Sequence, residues 1–375
     1  MGKETKRRLL FIMQLPPPVH GASLRNEFVA KSKLINQQFN VNILPLNFAV
    51  ELKDLERLSI RKIFAIFPFF FRLIKFLILQ KPDFVYYTLS PLSVALFRDC
   101  IFIAIIRLFR IPIIHHLRVI GVSKASMLKK HFTKFALKKG FVISLSRTAA
   151  KDIQPYFKGN PFIVNNGLED PISQFNLKLR TEERNKSIKK ILFLSNLYES
   201  KGVIILIKAI KILSKKRNDF VLTIAGPTTK EISTDRLKQL IRSANIENTV
   251  KTLPGIFGKD KYVEYLKSDI FVFPTFYPIE NFPGVILEAM ACGLPIVTTK
   301  VASIPEIIED KINGILIDKE NPIQLADAIE LLMNDEILSG NLGKAARLKF
   351  TQNYENRVYE RNMYNCFYEI ITSTK

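Results

Sequence analysis

Cysteine is sparse, and acidic side chains are missing from one long stretch. Three cysteines in 375 residues, Cys100, Cys292 and Cys366, are odd in number and far apart, which excludes a disulfide framework and a thiolate metal site of the usual short spacing. Such usage suits a reducing compartment. From Cys100 to Lys151 there is no Asp or Glu, while Arg107, Arg110, Arg118, Lys124, Lys129, Lys130, Lys134, Lys138, Lys139, Arg147 and Lys151 all fall there. No unbroken apolar run reaches the roughly 20 residues of a membrane-spanning helix. Leu9–Leu15 is short and is closed by Pro16–Pro18 without a small-residue cleavage site, so it reads as a buried strand and not as a signal peptide. Ile63–Leu79 is interrupted by Arg72 and Lys75; it either lies in a membrane interface or packs between a sheet and a neighbouring helix. Several reaction signatures are absent too. There is no G-x-G-x-x-G after the first strand, no Walker loop, no G-x-S-x-G elbow and no Asp-x-Asp triplet, and the four histidines form no H-E-x-x-H. These absences argue against a dehydrogenase, a P-loop enzyme, a serine hydrolase and a metal centre.

What is present is a globular composition, with 47% apolar and 24% charged residues, and a length that suits two domains. The net charge of +22 is concentrated: 27 basic against 10 acidic residues in 1–172 leave 29 against 24 in 173–375. A surface so biased attracts polyanions, whether nucleic acid, an anionic membrane leaflet or a phosphorylated substrate. Within it, Lys124–Lys139 draws as a helix with Lys130, Lys134 and Lys138 on one stripe and Leu128, Phe132 and Phe135 toward another.

Short apolar runs alternate with amphipathic stretches along the whole chain, the rhythm of βα units and parallel sheets. Strands are expected at Leu9–Leu15, Val41–Leu46, Phe84–Thr88, Pro112–Leu117, Phe141–Leu145 and Phe162–Asn165, then at Lys190–Ser195, Val221–Ala225, Val250–Leu253, Ile270–Pro274, Pro295–Thr298 and Gly314–Ile317. The polar stretch Asp170–Lys190 separates the two series and reads as a linker. This predicts two doubly wound α/β domains, 1–172 and 173–352, facing each other across a cleft. Residues 353–375 form a helix that packs on its own domain or crosses to the first.

The densest chemical signal is Phe271–Pro295, FVFPTFYPIENFPGVILEAMACGLP. A strand ends at Pro274, a loop rich in proline and aromatics follows, and Asn281–Gly284 precede the helical run Val285–Cys292. The free N–H groups and positive dipole of that helix start suit an anion such as a diphosphate. Glu280 stands at its mouth, and Glu288, one to two turns inside, needs a donor partner if it is buried. Two carboxylates accepting from hydroxyls suit a sugar or a ribose. The same residues are also compatible with a solvated loop carboxylate and a surface helix position.

Glu280–Val297, ENFPGVILEAMACGLPIV, resembles the E-x7-E signature of family 4 of the retaining glycosyltransferases, which have the GT-B architecture of two facing Rossmann-like domains. LSNLYESKG at Leu194–Gly202, VLTIAGP at Val221–Pro227, LPGIFGKDKYVEYLKSDIFVFPT at Leu253–Thr275 and VNNG at Val164–Gly167 fit the family in the same order. The similarity covers most of residues 160–320 and thins toward the N-terminus, where PPPVHGAS at Pro16–Ser23 looks like the first-strand loop of some bacterial members. The resemblance implies that Glu280 contacts donor sugar hydroxyls with help from the backbone around Phe282, Gly284 and Val285, that Glu288 holds the ribose, and that Lys201 meets the donor diphosphate. It places Gly255 and Phe257 beside the nucleobase. His20 and Gly21, in the loop before a helix start, and Arg118 fall on the acceptor or diphosphate side, with His116 a catalytic candidate.

Two departures from the family pattern stand out. Asn196 occupies the place of an arginine beside the diphosphate, and only arginine brings charge and a bidentate fork there. Arg118 stands where related sequences often have a histidine, leaving the preceding His115 and His116; by the period of a strand these face opposite sides, so at least one reads as a structural histidine. The reaction implied is retaining hexosyl transfer from a nucleotide diphosphate sugar, which is a substrate and not a cofactor, to a lipid-linked saccharide in surface polysaccharide assembly. Neither metal nor cofactor is expected. The excess charge predicts a peripheral enzyme on the cytoplasmic, inner face of an anionic membrane, with no specific nucleic-acid partner, because no binding motif or interleaved aromatics accompany the basic cluster. A non-catalytic protein that kept the fold, or a basic nucleic-acid or membrane binder, is the alternative.

Overall fold

Both faces of a parallel sheet are covered by helices, so its inner strands read as nearly continuous apolar runs, and twelve short runs, most of them apolar, become strands among the described residues. A computed structural model describes residues 6–18, 21–48, 60–179 and 188–374. Six strands, β1 (Arg8–Met13), β2 (Asn40–Pro45), β3 (Phe84–Leu89), β4 (Ile113–Leu117), β5 (Phe141–Ser144) and β6 (Phe162–Ile163), pair in parallel in the order β2-β1-β3-β4-β5-β6. Six more, β7 (Lys189–Leu194), β8 (Phe220–Ala225), β9 (Val250–Leu253), β10 (Ile270–Phe273), β11 (Ile296–Thr299) and β12 (Ile315–Ile317), form a second parallel sheet ordered β12-β11-β10-β7-β8-β9. Each expected strand is found, within one or two residues at most ends.

The chain forms two compact units, residues 1–167 with 357–375, and residues 168–356. In the first, successive residues of one strand serve different layers. Leu10 and Ile12 join a cluster with the helices Ile60–Gln80, Ala95–Leu108 and Met127–Leu137, while Leu9 and Phe11 join one with Gly21–Lys31 and the last helix, Asn356–Ser373. Phe367 of that last helix is fully buried, its ring centroid 5.7 Å from Phe11 and 5.3 Å from Tyr86. Residues 357–375 are therefore core material of the first unit. The second unit has a single large cluster running through β7, β8, β10 and β11 and the helices on both faces.

The start of the expected linker is ordered structure. Asp170 is buried, caps the short helix Pro171–Gln174 by accepting from the Ile172 N–H at 3.2 Å, and takes both Nη atoms of Arg347 at 2.7 Å. A polar stretch reads as a linker only until its charges find partners far away in sequence; residues 180–187 lie outside the described residues. Where the second unit begins and ends, its two chain segments pair: Leu168 bridges Glu355, the Leu168 N–H donates to the Tyr354 carbonyl at 2.8 Å and the Asn356 N–H to the Leu168 carbonyl at 3.0 Å. Among the described residues no helix is long and apolar enough to cross a membrane.

Candidate functional site

In a doubly wound sheet the strand order reverses beside the first strand, and the crevice at the carboxyl ends of the two strands flanking that reversal is where ligands bind. In the second unit those strands are β7 and β10. The loop after β7 carries Lys201 and the loop after β10 carries Thr275 and Glu280, so chain topology alone brings the first expected pair together. Lys201 Nζ lies 2.5 Å from Glu280 Oε2, which also accepts from the Thr275 hydroxyl at 3.2 Å. The ammonium sits 4.5 Å from the centre of the Tyr277 ring, a cation–π contact.

Backbone contacts lock the two loops. The Ser200 carbonyl accepts from the Phe276 N–H at 2.8 Å and from the Thr275 hydroxyl at 3.1 Å. Gly202, at φ 89°, follows directly, and a Cβ there would fall 2.1 Å from the Pro274 carbonyl oxygen. Only glycine permits both that left-handed backbone and that approach. The Glu280 carbonyl in turn accepts from the Ser303 hydroxyl at 3.3 Å, which holds the far end of the loop.

The helix expected at Val285–Cys292 spans Gly284–Ala291, with Pro283 as its N-cap and no side-chain cap; the Ile286 N–H donates to the Pro283 carbonyl at 3.2 Å, which leaves those of Gly284 and Val285 to an anion. A Cβ on Gly284 would meet no atom within 4 Å, so protein packing does not demand glycine at that turn. Glu288 has the donors its position requires. Lys261 Nζ is 2.6 Å from Oε1, and the Tyr265 hydroxyl donates to Oε2 at 3.1 Å. Burial and the neighbouring Glu288 charge drive the Tyr265 pKa well up, keeping that hydroxyl a donor. Lys261 and Tyr265 were not legible as site residues, because the helix Gly258–Lys267 that carries them shows only ordinary amphipathic spacing.

The other residues of the second unit are placed less tightly. Asn196 is exposed and brings no charge, its carbonyl accepting from the Tyr198 N–H at 2.8 Å. Phe282 turns its ring edge to Tyr354, centroids 5.6 Å apart, so it offers a ligand chiefly backbone. Val285 is half-buried beside it. Phe257 is 75% exposed at the end of the β9 loop, and a Cβ on Gly255 would come within 3.3 Å of its ring and of Pro227. A separate cavity of about 690 Å³ touches Lys189, Ile270 and Pro295, at the amino ends of the strands and thus the opposite edge of this sheet, and holds none of these residues.

In the first unit, Gly21 opens the helix Gly21–Lys31 at the carboxyl end of β1, next to the reversal between β1 and β3; His20 lies outside the described residues. His116 is fully buried in β4, where the Tyr86 hydroxyl meets Nδ1 at 2.6 Å. Burial and then the Arg118 charge hold its pKa well below the usual range, so the imidazole is neutral. A catalytic group must reach substrate, and with no exposed nitrogen His116 occupies a core position in this structure and not a reactive one. Its neighbour His115 is equally buried, lowered to about 3 by burial and by the Arg107 charge, and neither of its ring nitrogens has a hydrogen-bond partner among the described residues. Arg118 donates from Nη1 to Asn166 Oδ1 at 2.6 Å and from Nη2 to the Tyr359 hydroxyl at 3.1 Å. It ties β4, the VNNG segment and the last helix together within this unit.

Lysine and carboxylate thus meet at the β7–β10 reversal, with a second carboxylate inside the adjoining helix. Residues 176–349 match the family model of the glycosyl transferases group 1. The matched segment contains Lys201, Lys261, Glu280 and Glu288. The D-inositol 3-phosphate glycosyltransferase of Arthrobacter sp. (strain FB24) is 33% identical over 160 residues, 42% of this chain and 37% of that one. The amylovoran biosynthesis glycosyltransferase AmsK of Erwinia amylovora is 31% identical over 195 residues, 51% and 46% of the two chains. The chain thus spans about half or less of the length of the curated relatives it matches. In three dimensions HepE of Anabaena, solved in complex with UDP, superposes with a TM-score of 0.71 at 18% identity, covering 96% of this chain and all of that one. The fold is that of the GT-B glycosyltransferases, two Rossmann-like units.

Proposed function

We propose that the chain is a family 4 retaining glycosyltransferase. It moves a hexose from a nucleotide diphosphate sugar to a lipid-linked saccharide acceptor in surface polysaccharide assembly. The observation that carries this reading is the Lys201–Glu280 pair at the β7–β10 reversal, beside an uncapped helix start and a second carboxylate. Glu280 would accept sugar hydroxyls while the Lys201 ammonium moves to the diphosphate, where negative charge develops as the glycosidic phosphate departs. Glu288, held by Lys261 and Tyr265, would take the ribose, and Gly255 and Phe257 would border the base. The departing phosphate stays on the face where the acceptor hydroxyl enters and takes its proton, which keeps the anomeric configuration. No metal or cofactor enters this scheme; the cation and amide dipoles supply the counter-charge. The names of AmsK and of the UDP-bound HepE support a polysaccharide role and a uridine nucleotide, and the basic first unit supports an acceptor held at the cytoplasmic face of an anionic membrane.

A thermal-shift panel of UDP, GDP, ADP and CMP with their sugar conjugates, on the native chain and on Glu288→Gln, tests the donor site. At 100 times its dissociation constant a nucleotide adds about 2.7 kcal/mol to stability. One nucleotide should stabilise the native chain and not the variant, and Lys201→Ala should abolish transfer with the fold intact. Full transfer by both variants would overturn the site. Stabilisation by no nucleotide would favour the non-catalytic alternative, for which the uncharged Asn196 speaks.

A further inference from the structure

We propose that the outward stripe of the helix Ile60–Gln80 is a docking surface for an anionic phospholipid bilayer. A helix that is apolar all round is buried in something, and this one is apolar on two opposite faces. Phe69, Leu73 and Leu77 point into the core of the first unit. At 100° per residue, Phe67, Phe71, Lys75, Ile78, Leu79 and Arg72 fall on the other side. There Phe67 is 60%, Phe71 65% and Leu79 62% exposed. The sequence from Arg57 to Pro82 contains no acidic residue. Stripes of aromatic and aliphatic side chains flanked by cations suit the boundary between acyl chains and anionic headgroups.

The neighbouring helices Ala95–Leu108 and Met127–Leu137 belong to the same layer over the sheet and continue the character, with Leu108 82% and Met127 80% exposed. Leu128 and Phe135, assigned by their spacing to a stripe away from the lysines, are themselves exposed. Charge complementarity selects the occupant. A second copy of this chain would bring its own cations against Arg72 and Lys75, whereas anionic lipid brings the opposite sign. Nucleic acid would answer the cations and leave the phenylalanines in water. The inference deepens the reading of a lipid-linked acceptor and rests on it for its purpose, but lipid binding is read without any transfer.

The chain contains no tryptophan, so Phe71→Trp gives a single fluorophore on the stripe. The 375-residue chain is titrated with phosphatidylcholine vesicles containing 30% phosphatidylglycerol or none, with Leu348→Trp, on the exposed surface of the second unit, as control. The expected result is a blue shift for Phe71→Trp with anionic vesicles only. Adding Arg72→Glu and Lys75→Glu should weaken the vesicle affinity at least tenfold while the melting temperature stays unchanged. No blue shift with anionic vesicles, or an unchanged affinity after charge reversal, overturns the proposal. So does a blue shift without lipid that grows with protein concentration, which would assign the stripe to a second copy, or tighter retention on DNA than on vesicles. Nucleotide stabilisation measured on the same variants separates the two readings: lost vesicle binding with intact nucleotide binding removes only the docking surface, and the converse removes only the donor site.

Discussion

Replacing Lys261 by methionine keeps a side chain of similar length and removes the cation from Glu288. The carboxylate is left with one hydroxyl partner in a site where little of either side chain is exposed, and the cost should be about 1–3 kcal/mol in urea denaturation. Adding Glu288→Gln removes the orphaned charge and should recover most of that loss, while nucleotide binding stays lost in both variants. Gly202→Ala is predicted to be worse for its size. The new methyl must displace the Pro274 carbonyl from a backbone at positive φ, costing about 1–3 kcal/mol in a thermal melt, and it should also weaken nucleotide binding by moving Lys201. At this scale the sequence was half legible. Glu280, Glu288 and Lys201 lie in a motif whose spacing is visible along the chain. Lys261 and Tyr265 meet Glu288 only because two helices pack side by side, and Arg118 meets Tyr359 across 241 positions of sequence.

Strand β4 carries a pH dependence into the first unit. The folded pKa of His115 lies near 3 and that of His116 well below its usual value, so the unfolded chain binds protons that the folded chain refuses as pH falls below about 6.5. Stability is then complete above that value and declines toward pH 3. At pH 5 His115 alone should account for a loss of about 2 kcal/mol, and His115→Leu should flatten that part of a stability profile measured by urea unfolding. Gly140 helps to seat this ring, since a Cβ there would come within 2.8 Å of it. Elements were the most legible level of all. The central strands, such as β1, β3, β4 and β10, are short apolar runs that are buried almost throughout, while the edge strands β2 and β9 mix polar with apolar residues and are mostly half-buried or exposed. The start of the expected linker departs from that reading because polarity records solvent preference and is silent about partners: Asp170 is polar and buried at once, held by Arg347.

For the molecule as a whole, two cores sharing no cluster imply two separable unfolding events. Phe367→Ala removes a ring that contacts Phe11 and Tyr86, a loss of about 3–5 kcal/mol for a fully buried phenylalanine. Calorimetry should show the first unit's transition falling while the second unit's stays in place. Periodicity could not assign the last helix to its unit, because an apolar stripe specifies that something must cover it and not which sheet does so. The pairing of Leu168 with Glu355 has a different kind of consequence. In genetic terms residues 168–356 are an insert, continuous in sequence and with its two ends already fastened together, while the host unit is written in two pieces. The insert should therefore survive excision as a single polypeptide, and the host should need only a short loop joining 167 to 357. A gene could exchange the one for a homologous segment without rewriting the other.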